Sequence, residues 1–350
     1  MKLVVIGASA GGVEALSKLL GAIPADFSAA ILIVMHIGEH KSILPTLLAR
    51  HCALPVAHAQ HHQAVLAGTV VIAPPDLHLL VEKSTAGLRT VLTHGPKENH
   101  SRPAVDTLFR SAAIAGGSNV VGVVLTGYLD DGTAGLQAIK ACGGLAIVQD
   151  PGDAIVPDMP QFALDHVQVD FCLPLDQIAT ALSNHVGKRP STEAVNTRTV
   201  PEWVQVENNF ASGAGNMTQL QKIASPSEYS CPECGGALFQ VNNSSPCRFR
   251  CHTGHSYTML TLLEQQEQSI EASLASALRA LQEKESLAEQ LAAQFIGRSL
   301  MPEPGYAALA KRARADAAVL RPLLARRDTF ADLTIPATED KRDAGEGPAS

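Results

Sequence analysis

The first half of the chain alternates short apolar runs with longer amphipathic segments. The apolar runs are rich in β-branched residues, end at Gly, Pro or a polar residue, and predict strands at 3–6, 30–35, 69–73, 120–125 and 145–148. Between them, helical spacing of apolar positions predicts helices at about 12–22, 42–51, 103–115 and 132–142. This alternation predicts an α/β fold: a doubly wound, mostly parallel sheet with helices on both faces, a three-layer sandwich. Residues 78–94 predict a hairpin with its turn near Gly87, so we expect a mixed sheet at one edge.

The alternation stops near residue 186, and the pattern predicts five segments. Residues 1–186 form the α/β domain, and the polar, Gly-containing stretch 187–225 is a linker. Residues 226–257 are rich in Cys and Gly, contain a hairpin at 237–251, and form a small zinc-ribbon-like module. Residues 258–330 are helical, with an apolar stripe along the first helix, and 331–350 are expected to be disordered.

Composition narrows the possible partners and the compartment. The 350 residues carry a net charge of −7, so we expect no nucleic-acid partner, and no segment approaches the roughly 20 apolar residues of a membrane span. Seven cysteines, with Cys231 and Cys251 bounding a cluster of four, indicate reduced thiols and a metal site rather than disulfides. This usage predicts a cytoplasmic protein.

The stretch "VVIGASAGG" at 4–12 joins the first strand to the first helix and has three interpretations. Small residues pack closely at any such turn, and Ser9 could be one of these. A dinucleotide-phosphate loop would need a glycine where Ser9 stands and an acidic residue, not His36, after the second strand. The third interpretation is a nucleophile, because G-x-S-x-G between a strand and a helix exposes a serine hydroxyl beside the helix N-terminus.

A serine nucleophile needs a base and a residue that orients the base. His36 follows the second strand, and Asp130 and Asp131 follow the strand at 120–125. Carboxyl ends of parallel strands meet at one edge of a sheet, so Ser9, His36 and an aspartate are expected to converge. A lone histidine and an Asp-Gly turn are more often structural, but three required residue types at three strand ends favour catalysis.

Several stretches of residues 1–185 resemble the catalytic domain of CheB, the chemotaxis protein-glutamate methylesterase. The resemblance implies Ser9 as nucleophile, His36 as general base and Asp131 as its orienter, with backbone N–H groups of Ala10 and Tyr128 as the oxyanion hole. The chain departs from the family in "SAGG" and "TGYL", where side-chain contacts differ but backbone roles remain. The matching stretches are "VVIGASAGGVEAL", "VMH", "GTVVIAPPDLHLLV", "GPKENHSRPAVDTLFRSAA", "VVGVVLTGYLDDGTAGLQAIKACGGLAIVQDP" and "MPQFAL".

The resemblance also implies the reaction and the partners. The expected activity is hydrolysis of the γ-methyl ester of glutamate on chemoreceptor cytoplasmic helices, without a catalytic cofactor; a receptor methyltransferase or other chemosensory proteins are further expected partners. Deamidation of receptor glutamine by the same residues and a non-catalytic scaffold role are the alternatives. The chain starts at the first strand of the catalytic domain, so we expect a form without the phosphoacceptor domain and with a C-terminal Cys/His module.

Cysteine and histidine spacing at 231–255 predicts a structural zinc site. Cys231-x2-Cys234 is followed by Cys251 and His255, with a hairpin between the two pairs, as in a zinc ribbon. An all-cysteine site with Cys247 is an alternative, and similarity to related C-terminal modules favours His255. Four protein ligands leave no position for water, so the zinc is expected to be structural. Arg102 and Asp106 lie in a family-like stretch that starts a helix, and capping or packing explains them as readily as substrate binding does.

Overall fold

A computed structural model of the protein describes residues 1–38, 42–187, 199–294 and 303–325. The strands are β1 (Leu3–Ala8), β2 (Ala30–Met35), β3 (Val56–His58), β4 (Val70–Ile72), β5 (His78–Ser84), β6 (Gly87–Thr93), β7 (Val120–Val124), β8 (Leu145–Gln149), β9 (Phe171–Leu173), β10 (Ala224–Ser230), β11 (Ala237–Val241), β12 (Arg248–Cys251) and β13 (Ser256–Thr258). The α-helices are α1 (Gly12–Gly21), α2 (Leu44–Leu48), α3 (Val105–Gly116), α4 (Thr133–Ala141), α5 (Asp158–His166), α6 (Leu175–Val186), α7 (Glu202–Ala211), α8 (Met217–Ile223), α9 (Met259–Gln294) and α10 (Glu303–Ala325).

The main sheet has seven strands in the order β3-β4-β2-β1-β7-β8-β9, and every pairing in it is parallel. Alternate residues of β1 face opposite sides: Leu3 and Val5 join one buried cluster with α3 and α4, and Val4 and Ile6 join another with α1 and α6. The predicted α/β sandwich is therefore confirmed. Because β1 is the middle strand of the sheet, the turn that follows it lies at the centre of the edge where the parallel strands have their carboxyl ends.

The prediction of a mixed edge is wrong. Strands β5 and β6 form the predicted hairpin, but they make a separate two-stranded sheet that joins no strand of the main sheet. The edges of the main sheet belong to the short strands β3 and β9, which the sequence pattern did not reveal. The hairpin packs instead on α3, where the Val81 N–H donates a hydrogen bond to Ser111 Oγ at 3.0 Å.

The stretch expected to be an irregular linker, 187–225, contains α7 and α8. Val206 and Phe210 of α7 pack with Leu220 and Ile223 of α8 in a buried cluster. Polar residues dominate the sequence of this stretch, and its amphipathic face is short, so composition alone suggested a linker. Residues 188–198 of this stretch lie outside the described residues.

The chain divides into two compact units, Met1–Gln265 and Gln266–Ser350. The first unit contains both sheets already described and the four-stranded antiparallel sheet β10-β11-β12-β13, which includes the predicted hairpin at 237–251. In the second unit, Arg314 of α10 forms ion pairs with Glu285 and Glu289 of α9. No described helix is both long and apolar enough to cross a membrane. The tail 331–350, predicted to be disordered, lies outside the described residues.

Candidate active site

Ser9 lies in the tight turn between β1 and α1. The Ser9 N–H donates to the carbonyl of Thr126 at 3.0 Å, and the Ser9 carbonyl accepts from the Gly12 N–H at 2.9 Å. Gly11 has a φ of 76°, a left-handed conformation that glycine adopts without strain. Gly127 lies against the serine, since a Cβ there would be 2.7 Å from Ser9 Cβ. The turn thus holds Ser9 at the sheet edge with its side chain partly exposed.

His36 follows β2 and lies next to the Ser9 turn. Its backbone N–H donates to the Ala8 carbonyl at 3.3 Å, and Ser9 and His36 line the same open cavity of about 500 Å³. His36 Nε2 is 2.9 Å from Asp131 Oδ2, so Nδ1 is the ring nitrogen that Asp131 does not engage. No hydrogen bond joins Ser9 to His36 within the described part of the chain. Such contacts often tighten only when substrate binds.

Asp131 is buried, and its carboxylate is surrounded by hydrogen-bond donors. Besides His36, its carboxylate accepts from the backbone N–H groups of Val105 at 2.7 Å and Asp106 at 3.1 Å, and from Asn99 Nδ2 at 3.2 Å. The two backbone donors begin α3, whose N-terminus carries partial positive charge. Burial acts to raise the Asp131 pKa, but the hydrogen bonds from His36 and the helix start hold that pKa below its ordinary value. Asp131 is therefore ionised at neutral pH.

Two neighbouring aspartates have the opposite pKa behaviour. Burial, followed by the charge of Asp131, raises the pKa of Asp106 to about 7. The Asp106 carboxylate accepts from the Gly132 and Gly135 N–H groups and from Asn99, so it fixes the loop that carries Asp131. Burial also raises the pKa of Asp130 to about 7. Of the roles considered for Asp106, these contacts favour packing, because its carboxylate holds the loop beside Asp131.

The two predicted oxyanion donors lie in two different segments: Ala10 follows Ser9 in the turn after β1, and Tyr128 lies in the loop after β7. Within the described residues, neither the Ala10 N–H nor the Tyr128 N–H has a hydrogen-bond acceptor. Ala10 is partly exposed, and Tyr128 is 62% exposed. Neither N–H is therefore used by the described part of the chain itself.

Asn99 is a residue of the site that was not predicted from the sequence. Its side-chain amide bridges Asp106 Oδ2 at 3.1 Å and Asp131 Oδ1 at 3.2 Å, and it is buried. Asn99 lies in the loop between β6 and α3 with a φ of 49°. No strand end or motif spacing connects this loop with the predicted site, so only the folded chain brings them together.

The predicted metal ligands form one cluster. One ligand atom each from Cys231, Cys234, Cys251 and His255 lies within 4.8 Å of the other three. Cys234 Sγ is 3.7 Å from Cys251 Sγ, and His255 Nδ1 is 3.7 Å from Cys231 Sγ and 3.6 Å from Cys251 Sγ. A tetrahedron with zinc–sulfur bonds of about 2.3 Å has edges of about 3.8 Å, so these separations fit zinc. Cys247 lies outside the cluster and accepts from Gln240 Nε2.

Comparisons with known proteins agree with this geometry. A family model described as CheB methylesterase matches residues 4–182. A relative from Leptospira interrogans is 38% identical over 177 residues, which cover 50% of this chain and 90% of the relative. Protein-glutamate methylesterase/protein-glutamine glutaminase 3 from Geobacter metallireducens is 41% identical over 179 residues, 51% of this chain and 50% of that protein. This chain therefore matches only about half the length of the Geobacter relative.

A solved structure has the same fold. The crystal structure of the Thermotoga maritima CheB methylesterase catalytic domain matches with a TM-score of 0.51 and 33% sequence identity. The match covers 53% of this chain and 98% of the Thermotoga chain. The shared region is the α/β domain.

Proposed function

The chain belongs to the CheB methylesterase family, and we propose that it hydrolyses glutamate γ-methyl esters on chemoreceptors with Ser9, His36 and Asp131. The observation that carries the residue assignment is the hydrogen bond between His36 Nε2 and Asp131 Oδ2 beside the cavity that Ser9 lines. A base held by a buried carboxylate next to a serine can remove the hydroxyl proton.

In the proposed reaction, Ser9 Oγ attacks the ester carbonyl while His36 Nδ1 takes the hydroxyl proton. The N–H groups of Ala10 and Tyr128 stabilise the oxyanion, and the ionised Asp131 stabilises the imidazolium. The tetrahedral intermediate collapses, and methanol leaves with the proton from His36. Water then attacks the acyl-enzyme carbonyl while His36 takes its proton; the bond to Ser9 Oγ breaks, and His36 returns the proton to Ser9 Oγ as the free glutamate side chain leaves. No step requires a cofactor.

Deamidation of receptor glutamine is a second candidate function, because the relatives' names include protein-glutamine glutaminase. The amide would follow the same acyl route, with ammonia as the leaving group. The available oxyanion donors and the paired base support an enzyme rather than a scaffold. A receptor methyltransferase and other chemosensory proteins remain proposed partners.

The test is methanol release from receptor-bearing membranes that a receptor methyltransferase has methylated. The intact chain should release methanol, and Ser9→Ala should reduce the rate by a factor of about 10³ or more because it removes the nucleophile. Ser17→Ala, on the exposed side of α1 with a hydroxyl bonded only to the Val13 carbonyl, is the matched control and should keep full activity. Ammonia release from glutamine-bearing receptors measures deamidation. Equal methanol release by the intact chain and Ser9→Ala would contradict the assignment.

We also propose that Cys231, Cys234, Cys251 and His255 hold one structural zinc ion. The short separations of the four ligand atoms and the burial of Cys231 and Cys251 support this site, and thiolates and imidazole are the ligands that zinc prefers. Thiolate ligands need a reducing compartment, so the proposal includes a cytoplasmic location.

The zinc content of the purified protein tests this proposal. The protein should contain one zinc per chain, and Cys234→Ser should lose most of it. Cys172→Ser, at an exposed free thiol outside the cluster, should keep the zinc. Zinc retained in Cys234→Ser would contradict the assignment.

A further inference from the structure

Five buried charged residues join the Cys/His module, residues 226–257, to the α/β domain and to α7. Arg110 of α3 and Arg250 of β12 both form ion pairs with Glu98, which precedes Asn99. Glu207 of α7 forms ion pairs with Arg248 at 2.6 Å and Arg250 at 3.5 Å. All five residues are at most 4% exposed. Buried charges are costly without partners, so this ion cluster fixes how the module and the α/β domain fit together.

Backbone pairing holds the same loop from the other side. The Asn99 N–H donates to the Ser256 carbonyl at 2.8 Å, and the Ser256 N–H donates to the Lys97 carbonyl at 3.3 Å. Glu98 and Ser256 also form a parallel β-bridge, which makes the loop a short extension of the module's sheet at β13. Asn99 and His100 both have positive φ angles, of 49° and 59°. Non-glycine residues adopt this conformation at a cost, which the module's contacts offset.

A third contact begins at the metal ligands themselves. Glu233 lies between Cys231 and Cys234, and its carboxylate is 3.2 Å from His255 Nε2 and 3.4 Å from His100 Nδ1. A carboxylate beside the free nitrogen of a ligand histidine orients that ligand. His100 in turn lines a small cavity together with His36. Glu233 thus connects the Cys/His cluster to the wall of the candidate active site.

These contacts lead to the catalytic carboxylate. Glu98 is held by Arg250 of the module, and the next residue, Asn99, donates its side-chain amide to Asp131 Oδ1 and Asp106 Oδ2. We propose that the metal-bound Cys/His module is a positioning element for esterase catalysis, and that Asn99 is the positioning residue through which it acts. The proposal rests on the proposed function. It makes hydrolysis dependent on a metal that contacts neither the substrate nor the triad.

The first test isolates Asn99 with the zinc in place. Asn99→Ala should lower kcat for methanol release by about 10- to 100-fold, because small displacements of catalytic groups are costly. KM should stay within about twofold, since Asn99 does not line the cavities beside Ser9 and His36. The control Asn184→Ala, at an exposed residue of α6, should change neither constant. Unchanged kcat in Asn99→Ala with zinc bound would overturn the role of Asn99.

The second test removes zinc from the full chain with a chelator. Trp203 is the single tryptophan, and the Arg248 guanidinium lies 5.2 Å from its ring centre, so Trp203 emission reports module docking. Zinc loss should shift this emission and lower both kcat and the rate at which a fluorophosphonate labels Ser9, each by about tenfold or more, and added zinc should restore all three. Far-UV circular dichroism checks that the α/β domain stays folded.

The outcomes separate this inference from the function it rests on. Stoichiometric zinc release with an unchanged rate of Ser9 labelling would overturn the inference, while a zinc-bound protein that labels and releases methanol still supports the esterase. If the zinc-bound protein neither labels at Ser9 nor releases methanol, the proposed function fails first. A kcat that falls equally in Asn99→Ala and in the chelated protein, with emission shifted only in the latter, supports the whole chain of contacts.

Discussion

Asp130 and Asp131 are adjacent and both buried, yet their pKa values move in opposite directions. Asp131 accepts hydrogen bonds from His36, from Asn99 and from the first N–H groups of α3, which lower its pKa. Asp130 lacks this set of donors, and burial raises its pKa to about 7. The donors around each carboxylate, rather than the residue type or its burial, therefore decide which aspartate can orient a catalytic histidine.

Asp130 is expected to make the stability of the protein depend on pH. Its folded pKa of about 7 lies above its ordinary value of 3.8, so the folded state binds the proton more tightly than the unfolded chain. Stability should therefore fall as pH rises from about 4 to 7 and stay at the lower level above that range. Asp130→Asn removes the free-energy cost of burying an ionised carboxylate. It should therefore raise the free energy of unfolding by roughly 2–4 kcal/mol at pH 8, and by much less at pH 4.5.

Thermal unfolding of the intact chain and of Asp130→Asn, compared with each other at each pH, measures this effect, because any loss of metal at pH 4.5 affects both proteins alike. Asp26→Asn, at an exposed position, is the matched control and should shift stability little at either pH. If Asp130→Asn stabilised the protein equally at pH 4.5 and pH 8, burial of the ionised carboxylate would not be the cause of the stabilisation.

At the scale of elements, long apolar runs were predictable and short or charged elements were not. The central strands β1, β2 and β7 contain only buried residues, so each appears in the sequence as a continuous apolar run that predicts a buried strand. The edge strands β3 and β9 have three residues each, too few for a periodic pattern. Helix α7 was assigned to a linker because the stretch around it is polar and contains glycine, and its Glu207 adds to that polar character although the ion cluster buries it completely. A buried charge whose partner lies 41 residues away leaves no local pattern in the sequence.

The residues of the candidate site also fall into two groups, those that could be predicted from the sequence and those that could not. Ser9, His36 and Asp131 follow strands, and parallel topology brings strand ends together, so their convergence could be expected from sequence. Asn99 comes from a loop of positive-φ residues that takes its shape only when β13 pairs with it. The Cys/His cluster was predictable from spacing, but its connection to the candidate active site depends on Glu98, Glu207 and three arginines that no local pattern links.

At the scale of the whole first unit, the buried ion cluster joins the α/β domain and α7 to the Cys/His module, and Glu207 pairs with both arginines of the module. Removing Glu207 leaves Arg248 and Arg250 buried with less compensating charge, whereas the hydrophobic contacts of α7 remain. Glu207→Ala should therefore lower the free energy of unfolding of the zinc-bound protein by about 3–5 kcal/mol.

The control for Glu207→Ala lies on the same helix. Glu202 pairs with Lys222 at 3.5 Å, but both side chains are more than half exposed, so Glu202→Ala should cost less than about 1 kcal/mol. Denaturant unfolding followed by Trp203 emission compares the two variants, because Trp203 lies beside Arg248. Similar midpoints for both variants would mean that apolar packing alone holds the module. A much lower midpoint for Glu207→Ala would mean that the charges hold it in place, and with it the loop that supports Asp131.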